Sequence, residues 1–423
     1  MAFLKKLTLL LTVISFTALL SGCGKGNTLD TADQYISTVD QIDIPDDVEV
    51  IGLGEATHGN IEFQELKKEV FETLIKKENV RVFVLEGDFG GGQQINKYIL
   101  NGEGTAETAV KTLDYNIYKT EQMINLVQWM RDYNDTVKED EKIHFYGNDM
   151  QRYDFSKKEL LNYYAVVNTA AAKEKADLLK HVSNDTMREL TTEQLKKIND
   201  IINDIIQDLQ SNKANYLENS SSDDYAFAIS YAQNMKQRTQ LFLNEKDYTD
   251  LRDQYLAENL QWIIEFEKER GNDKVFFTGH NGHVEKSSAS FAGYKSMGNY
   301  LDDLYGTKYF AIGTDFIYSK FQALNGGSDK RRIFTLKNHN DLVDAFSGVE
   351  QNIFYIDFEK SSNSDELLNI ISKENKMANI GDDFRPWYKL LKMFYTIEMV
   401  PQEAYDSIII VKKATPTKVI NLK

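Results

Sequence analysis

Five short apolar runs in this chain each stop abruptly at residues able to do acid–base chemistry. Val48 to Leu53 stops at Gly54-Glu55-Ala56-Thr57-His58, Val82 to Leu85 at Glu86-Gly87-Asp88, and Ile143 to Tyr146 at Gly147-Asn148-Asp149. Val275 to Thr278 stops at Gly279-His280-Asn281-Gly282-His283, and Tyr309 to Ile312 at Gly313-Thr314-Asp315. His58 follows Glu55 by three residues, in a turn entering a helix expected to begin near Asn60. At a helix start the macrodipole favours neutral imidazole, which can accept a proton. A carboxylate such as Glu86 pushes the other way, orienting the ring and stabilising its charged form, as in general-base pairs. His280 and His283, also three apart, can aim both rings into one cleft, one holding a water and the other donating to a developing oxyanion.

Other readings of the same residues stay open. Two histidines with Glu55, Glu86 or Asp88 form a ligand set for a divalent metal, and the histidines could be structural. HNGH fits the H-x-G-H pattern of nucleotide-transferring enzymes, but no Gly-rich phosphate loop accompanies it. The chain has no G-x-S-x-G elbow, no H-E-x-x-H and no G-x-G-x-x-G. With no obvious serine or cysteine nucleophile, direct attack by an activated water is the mechanism left, with no cofactor expected.

The elements that must position these residues follow from the runs themselves. VFVLEG and VFFTGH are continuously apolar, as strands buried on both faces of a parallel sheet must be. A glycine at each run's end lets the chain turn sharply off the strand. Most runs are followed by a helical stretch, so the chain reads as α/β, a mostly parallel central sheet covered by helices. In such sheets ligands bind outside the carboxyl ends of the strands, so the five polar clusters should converge on one crevice. Residues 155–271 carry apolar residues at three to four residue intervals and no comparable strand run, which predicts a long helical insertion or cap. Further strands are expected at Ile353 to Ile356 and Ser407 to Lys412.

Composition narrows the partners. Of 423 residues, 42% are hydrophobic and 27% charged, enough for a sizeable core, and the net charge of -16 argues against a nucleic-acid partner. Lys5 and Lys6 precede an apolar run from Leu7 to Leu20, too short for a span and of signal-peptide form. The run ends in Leu20-Ser21-Gly22-Cys23, which looks like a bacterial lipobox, and Cys23 is the single cysteine of the chain. Residues 1–22 are therefore read as a lipoprotein signal peptide and 23–33 as the lipidated Cys23 with a short polar tether. Residues 34–423 form the domain, held at the extracytoplasmic face of the cell membrane by its N-terminal lipid.

Taken in order and at these separations, GEATHG at 54–59, EGD at 86–88, GND at 147–149 and HNGH at 280–283 resemble the erythromycin esterase family. Arg252-Asp253 and Asn259-Leu260-Gln261-Trp262 before HNGH, and Met297-Gly298 after it, extend the resemblance over nearly the whole mature chain. That family hydrolyses the macrolactone ester of erythromycin-like antibiotics. The resemblance implies His58 as the general base activating water, Glu86 helping to position water and ring, and Glu55 supporting the site. His280 and His283 would bind water or stabilise the tetrahedral intermediate. Characterised esterases carry an arginine where this chain has Lys67, nine residues after His58, so Lys67 keeps the charge without the planar fork. Lys67, Asp88 and Asp149 are read as contacts to a small-molecule ester or lactone substrate. The alternative to this esterase reading is a metal-dependent hydrolase or metal-binding surface lipoprotein, and a binder without turnover would have no need of the general base.

Overall fold

The computed structural model describes residues 28–289, 293–328 and 330–421, so Cys23 and residues 24–27 of the expected tether lie outside the described residues. Eleven strands occur in chain order: β1 (Val50–Glu55), β2 (Val82–Asp88), β3 (His144–Asp149), β4 (Val275–His280), β5 (Tyr309–Asn325), β6 (Arg331–Lys337), β7 (Ile353–Asp357), β8 (Asn375–Ala378), β9 (Asp383–Phe384), β10 (Thr396–Met399) and β11 (Ser407–Ala414). The main sheet runs β3-β2-β4-β1-β5-β11-β7, with β6 and β9 attached to β5. Every pairing from β3 through β11 is parallel, and the edge strand β7 runs antiparallel. The α/β expectation therefore holds.

Burial on both sides explains the unbroken apolar runs. Side chains alternate across a strand, so Ile51, Leu53, Phe83 and Leu85 enter one hydrophobic cluster while Val50, Val82, Val84 and Val275 enter another on the opposite face. The first cluster is closed by Phe63, Val70 and Phe71 of the helix Ile61–Glu78. The second is closed by Leu256, Leu260 and Ile263 of the helix Tyr248–Lys268.

The helical stretch between β3 and β4 divides in two. Its first helices, from Asp154–Val167 to Ser222–Leu243, build a third cluster around Tyr164, Ile202, Ile205 and Leu209. Its last helix, Tyr248–Lys268, belongs to the sheet layer instead. The chain joins the body earlier than its polar composition predicts. Leu29 is buried, donates its N–H to Ala345 O at 2.9 Å, and precedes a buried Ala32, so the chain is held to the body from Leu29 on, with Asp30, Thr31 and Asp33 exposed.

Three consecutive glycines seat the helix Phe89–Asn101 that follows β2. A Cβ on Gly90 would meet Ser156 N at 2.3 Å, one on Gly91 Thr112 O at 2.4 Å, and one on Gly92 Gly147 N at 2.3 Å. The helix therefore touches cap, loop and strand through bare backbone. Gly92→Ala should destabilise the fold by about 1–3 kcal/mol, because backbone and not a yielding side chain stands in the way. Val166→Ala, at a side chain 67% exposed, should cost less than about 0.5 kcal/mol. Urea denaturation of both variants beside the parent tests this, and equal midpoints would contradict it.

Candidate active site

The pairing register sets the site. Gly54 lies opposite Gly279 and Glu55 opposite His280, while β2 and β3 come level at Asp88 and Asp149 after an irregularity beyond Leu85. Four parallel strands thus deliver their polar ends to one edge, whereas the fifth expected cluster does not join them. β5 runs on past Gly313-Thr314-Asp315, and Asp315 is fully buried, accepting from Asn338 Nδ2 at 2.9 Å and Asn340 Nδ2 at 3.0 Å. The turn after β1 is fixed by the far end of β5, where Gln322 N donates to Gly59 O at 3.2 Å, so close that a Cβ on Gly59 would sit 2.0 Å from Gln322 O. Ile380 N donates to Ala56 O at 2.8 Å and brings residues 380–382 alongside.

A cavity of about 460 Å³ opens at this edge, lined by His58, Glu86, Asp149, Arg252, His280 and His283, together with Tyr115, Ile117, Leu324 and Asp382. A larger groove of about 910 Å³ elsewhere on the surface, around Asp46, Lys286 and Asp406, contains none of these groups.

His58 Nδ1 lies 2.5 Å from Glu55 Oε1, and its Nε2 has no hydrogen-bond partner among the described residues. Glu55 Oε2 in turn meets Lys67 Nζ at 2.9 Å and Gln64 Nε2 at 3.1 Å. Burial alone would raise the Glu55 carboxyl, but the charges of Lys67 and His58 hold it at about 2. Burial likewise opposes a charged His58, yet the Glu55 carboxylate outweighs it and raises the ring above its ordinary value. The carboxylate therefore works against the helix start, which favours the neutral ring.

Glu86 works on the other wall. Its Oε2 accepts the His280 backbone N–H at 2.7 Å, and its Oε1 lies 2.7 Å from Arg252 Nη2 and 3.3 Å from His283 Nε2. Despite burial, His283 and Arg252 hold its carboxyl well below the usual range. Arg252 also donates to Asp149 Oδ2 at 2.7 Å, and Asp253 accepts from His283 Nδ1 at 2.7 Å.

The two histidines of HNGH are driven apart. Burial, and then the positive field of His58, press His280 down to about 3, leaving it neutral with a buried Nε2 that has no hydrogen-bond partner among the described residues. Its ring centroid is 4.9 Å from that of His58. Burial also disfavours a charged His283, but Asp253 and Glu86 overcome both it and Arg252, lifting the ring to about 10. Arg252 Nη1 stands 3.0 Å from His283 Nε2 and can only donate. That nitrogen can either accept from Arg252 as a neutral ring or donate to Glu86 as a cation. Among the described residues, the lysine and arginine ion partners of Glu55, Glu86, Asp149 and Asp253 are Lys67 and Arg252, and this excess of carboxylates favours the imidazolium.

Three residues stand differently from expectation. Glu55, not Glu86, is the carboxylate that orients His58. Lys67 is 1% exposed behind Glu55, its ammonium 5.3 Å over the Tyr118 ring, so it serves the carboxylate and does not reach the cavity. Asp88 is fully buried as the N-cap of Phe89–Asn101, accepting from Gly91 N at 2.6 Å, and burial raises its carboxyl well above the ordinary range. Asp149 does reach the cavity wall, but its oxygens are taken by Arg252 and by Gln151 N at 2.8 Å. Among the described residues no three His, Cys, Asp or Glu side chains are grouped to share a metal ion. Tyr115 and Asp382 carried no signal in the sequence. Arg252 and Asp253 did, as one of the spaced motifs that carry the family resemblance.

A polar cavity of this make, at the carboxyl ends of a parallel sheet, marks an α/β protein equipped for acid–base work on a small molecule. Residues 75–414 match the erythromycin esterase family model, and the chain belongs to that family. Ester or lactone hydrolysis is the chemistry this membership implies. The Escherichia coli erythromycin esterase type II is 25% identical over 325 residues, covering 69% of this chain and 74% of that protein. Three solved structures share the fold. A Bacillus cereus protein has a TM-score of 0.77 at 24% identity, over 89% of this chain and 91% of the other. A succinoglycan biosynthesis protein has 0.74 at 20%, over 92% and 97%. An erythromycin esterase mutant in its open conformation has 0.67 at 15%, over 89% and 93%.

Lys67→Met should strip Glu55 of its main counter-charge and cost about 3–5 kcal/mol, as when one partner of a buried ion pair is removed. Adding Glu55→Gln should recover part of the loss, since the stranded charge goes with it. Urea titration of the two single variants and the double variant checks the coupling; strictly additive losses would contradict it.

Proposed function

We propose that the chain hydrolyses an ester or lactone by direct attack of water, without a metal, at the outer face of the cell membrane. The observation that carries this reading is the His58–Glu55 contact of 2.5 Å, which fixes the ring by Nδ1 and leaves Nε2 toward the cavity. In this scheme Nε2 takes a proton from water as the oxygen attacks the carbonyl carbon, and Glu55 stabilises the imidazolium that forms. The carbonyl oxygen gains negative charge opposite, where the Arg252 guanidinium and the His283 cation stand on the same wall. His280, held neutral between the two rings, is suited to hydrogen-bond the water without competing for its proton. Collapse of the tetrahedral intermediate expels the alkoxide, and the proton held by His58 passes to it.

The substrate class is a small ester or lactone. A membrane location is supported by the LSGC sequence at 20–23 after its apolar run, with lipid on Cys23 as the anchor.

Incubating the full chain with erythromycin and a panel of simple esters, followed by mass spectrometry, tests the reading. Addition of one water is expected, lowered at least about 100-fold by His58→Ala and indifferent to EDTA. Loss with EDTA would instead support metal-dependent hydrolysis. Since Glu55 raises the His58 ring, the active, unprotonated base is populated only above that raised value. Activity should therefore climb with pH through a midpoint above that of an ordinary histidine, and Glu55→Gln should move this limb to lower pH while reducing the maximal rate. An unmoved limb would remove His58 from the role of base.

A further inference from the structure

We propose that the segment 385–394 is a docking surface for an anionic phospholipid bilayer. Eight large apolar side chains are strongly exposed among the described residues, and Trp387, Leu390, Leu391 and Met393 are four of them, at 46%, 76%, 52% and 54%. Half of the exposed apolar side chains thus fall within seven residues, which scattered surface exposure does not produce. The segment is not frayed chain. Tyr388 stacks on Phe394 at 4.9 Å and packs edge-on against Phe384 at 5.5 Å, and Trp387 packs edge-on against both Tyr388 and Phe394 at 4.7 Å. A built aromatic base therefore holds the leucines and Met393 outward.

Charge selects the partner. The whole chain carries -16, but 385–394 holds Arg385, Lys389 and Lys392 and no acidic residue. Next to it, β6 and its lead-in, residues 330–337, hold Lys330, Arg331, Arg332 and Lys337. Arg331 is spent on an ion pair with Asp382, which leaves Lys330, Arg332 and Lys337 as the added positive charge, and Phe334 of β6 packs on Phe384 at 5.0 Å. A basic, aromatic and aliphatic surface on an acidic protein fits the headgroup region of an anionic bilayer, where Trp and Lys settle beside buried Leu. A second copy of this chain would bring basic against basic.

The geometry of attachment agrees, and here the inference rests on the lipid-anchor reading above. Leu29 bonds to Ala345 O, at the end of the helix Asp341–Ala345, and Lys392 Nζ donates to His339 O just before that helix. The chain thus emerges one short helix away from the basic loop. Cys23 precedes Thr28 by five residues, a reach of at most about 18 Å. Gly381 and Asp382, which line the cavity, lie a few residues before the segment, so docking would hold this part of the cavity lining near the lipid surface.

The test uses the full chain with vesicles of equal parts phosphatidylcholine and phosphatidylglycerol, doped with brominated phosphatidylcholine. Tryptophan fluorescence should be quenched, and Trp387→Phe should abolish the quenching, since Trp129 and Trp262 are partly buried in the body. Lys389→Glu with Lys392→Glu should weaken the effect at least about tenfold, as should vesicles of phosphatidylcholine alone. Quenching that persists in Trp387→Phe, or sedimentation showing a dimer that Leu390→Asp dissolves, would overturn the proposal. The mass of the N-terminal peptide reports lipid on Cys23 separately. An unlipidated chain that still shows Trp387 quenching would sink the anchor and keep the docking surface, while a lipidated chain without quenching would do the reverse.

Discussion

A carboxylate taken out of water costs several kcal/mol unless partners replace what water supplied. This protein buries Glu55, Glu86, Asp149 and Asp253 around one cavity, and that cost organises what surrounds it. Lys67 is drawn to the floor beneath Glu55, Arg252 is shared by Glu86 and Asp149, and the two histidines that touch carboxylates through Nδ1 are pulled toward their charged forms. Remove the acids and no reason remains for a lysine to be 1% exposed or for a guanidinium to sit inside a sheet edge.

The same field separates two neighbours in sequence. His280 and His283 lie one helical turn apart, yet one is held to about 3 and the other lifted to about 10. The difference is Asp253, which reaches only His283, and His58, whose charge falls mostly on His280. A site that needs a neutral and a cationic imidazole side by side obtains both from one short motif by the placing of a single carboxylate from a helix before it.

Much of this was legible in the residues, and the errors have a common cause. Strand ends were visible because apolar runs halt at glycine and acid, and register then carried Glu55 to His280 and Asp88 to Asp149. Depth was not visible. Asp88 and Lys67 read as substrate contacts in sequence, but one caps a helix in full burial and the other underlies an acid. Which of Glu55 and Glu86 meets His58 depends on a tight turn held by Gln322 from the far end of β5, a contact between residues too distant in sequence to infer. The loop at 380–382 reached the cavity for the same reason, through the bond from Ile380 to Ala56. Polar composition also misled at residues 29–33, where one leucine is enough to tie the segment down.

The triple glycine after β2 bears on how such a protein can change over generations. Its three positions are pressed against cap, loop and strand backbone, so the end of β3 that carries Asp149 into the cavity wall has almost no room to drift. New preferences for one substrate or another must then arise elsewhere in the lining, among Asp114 to Ile117, Gln151, Arg152 and Asp382, which come from separate segments between the strands. A rigid wall beside an adaptable lining is a design in which one chemistry can be inherited while its targets are exchanged.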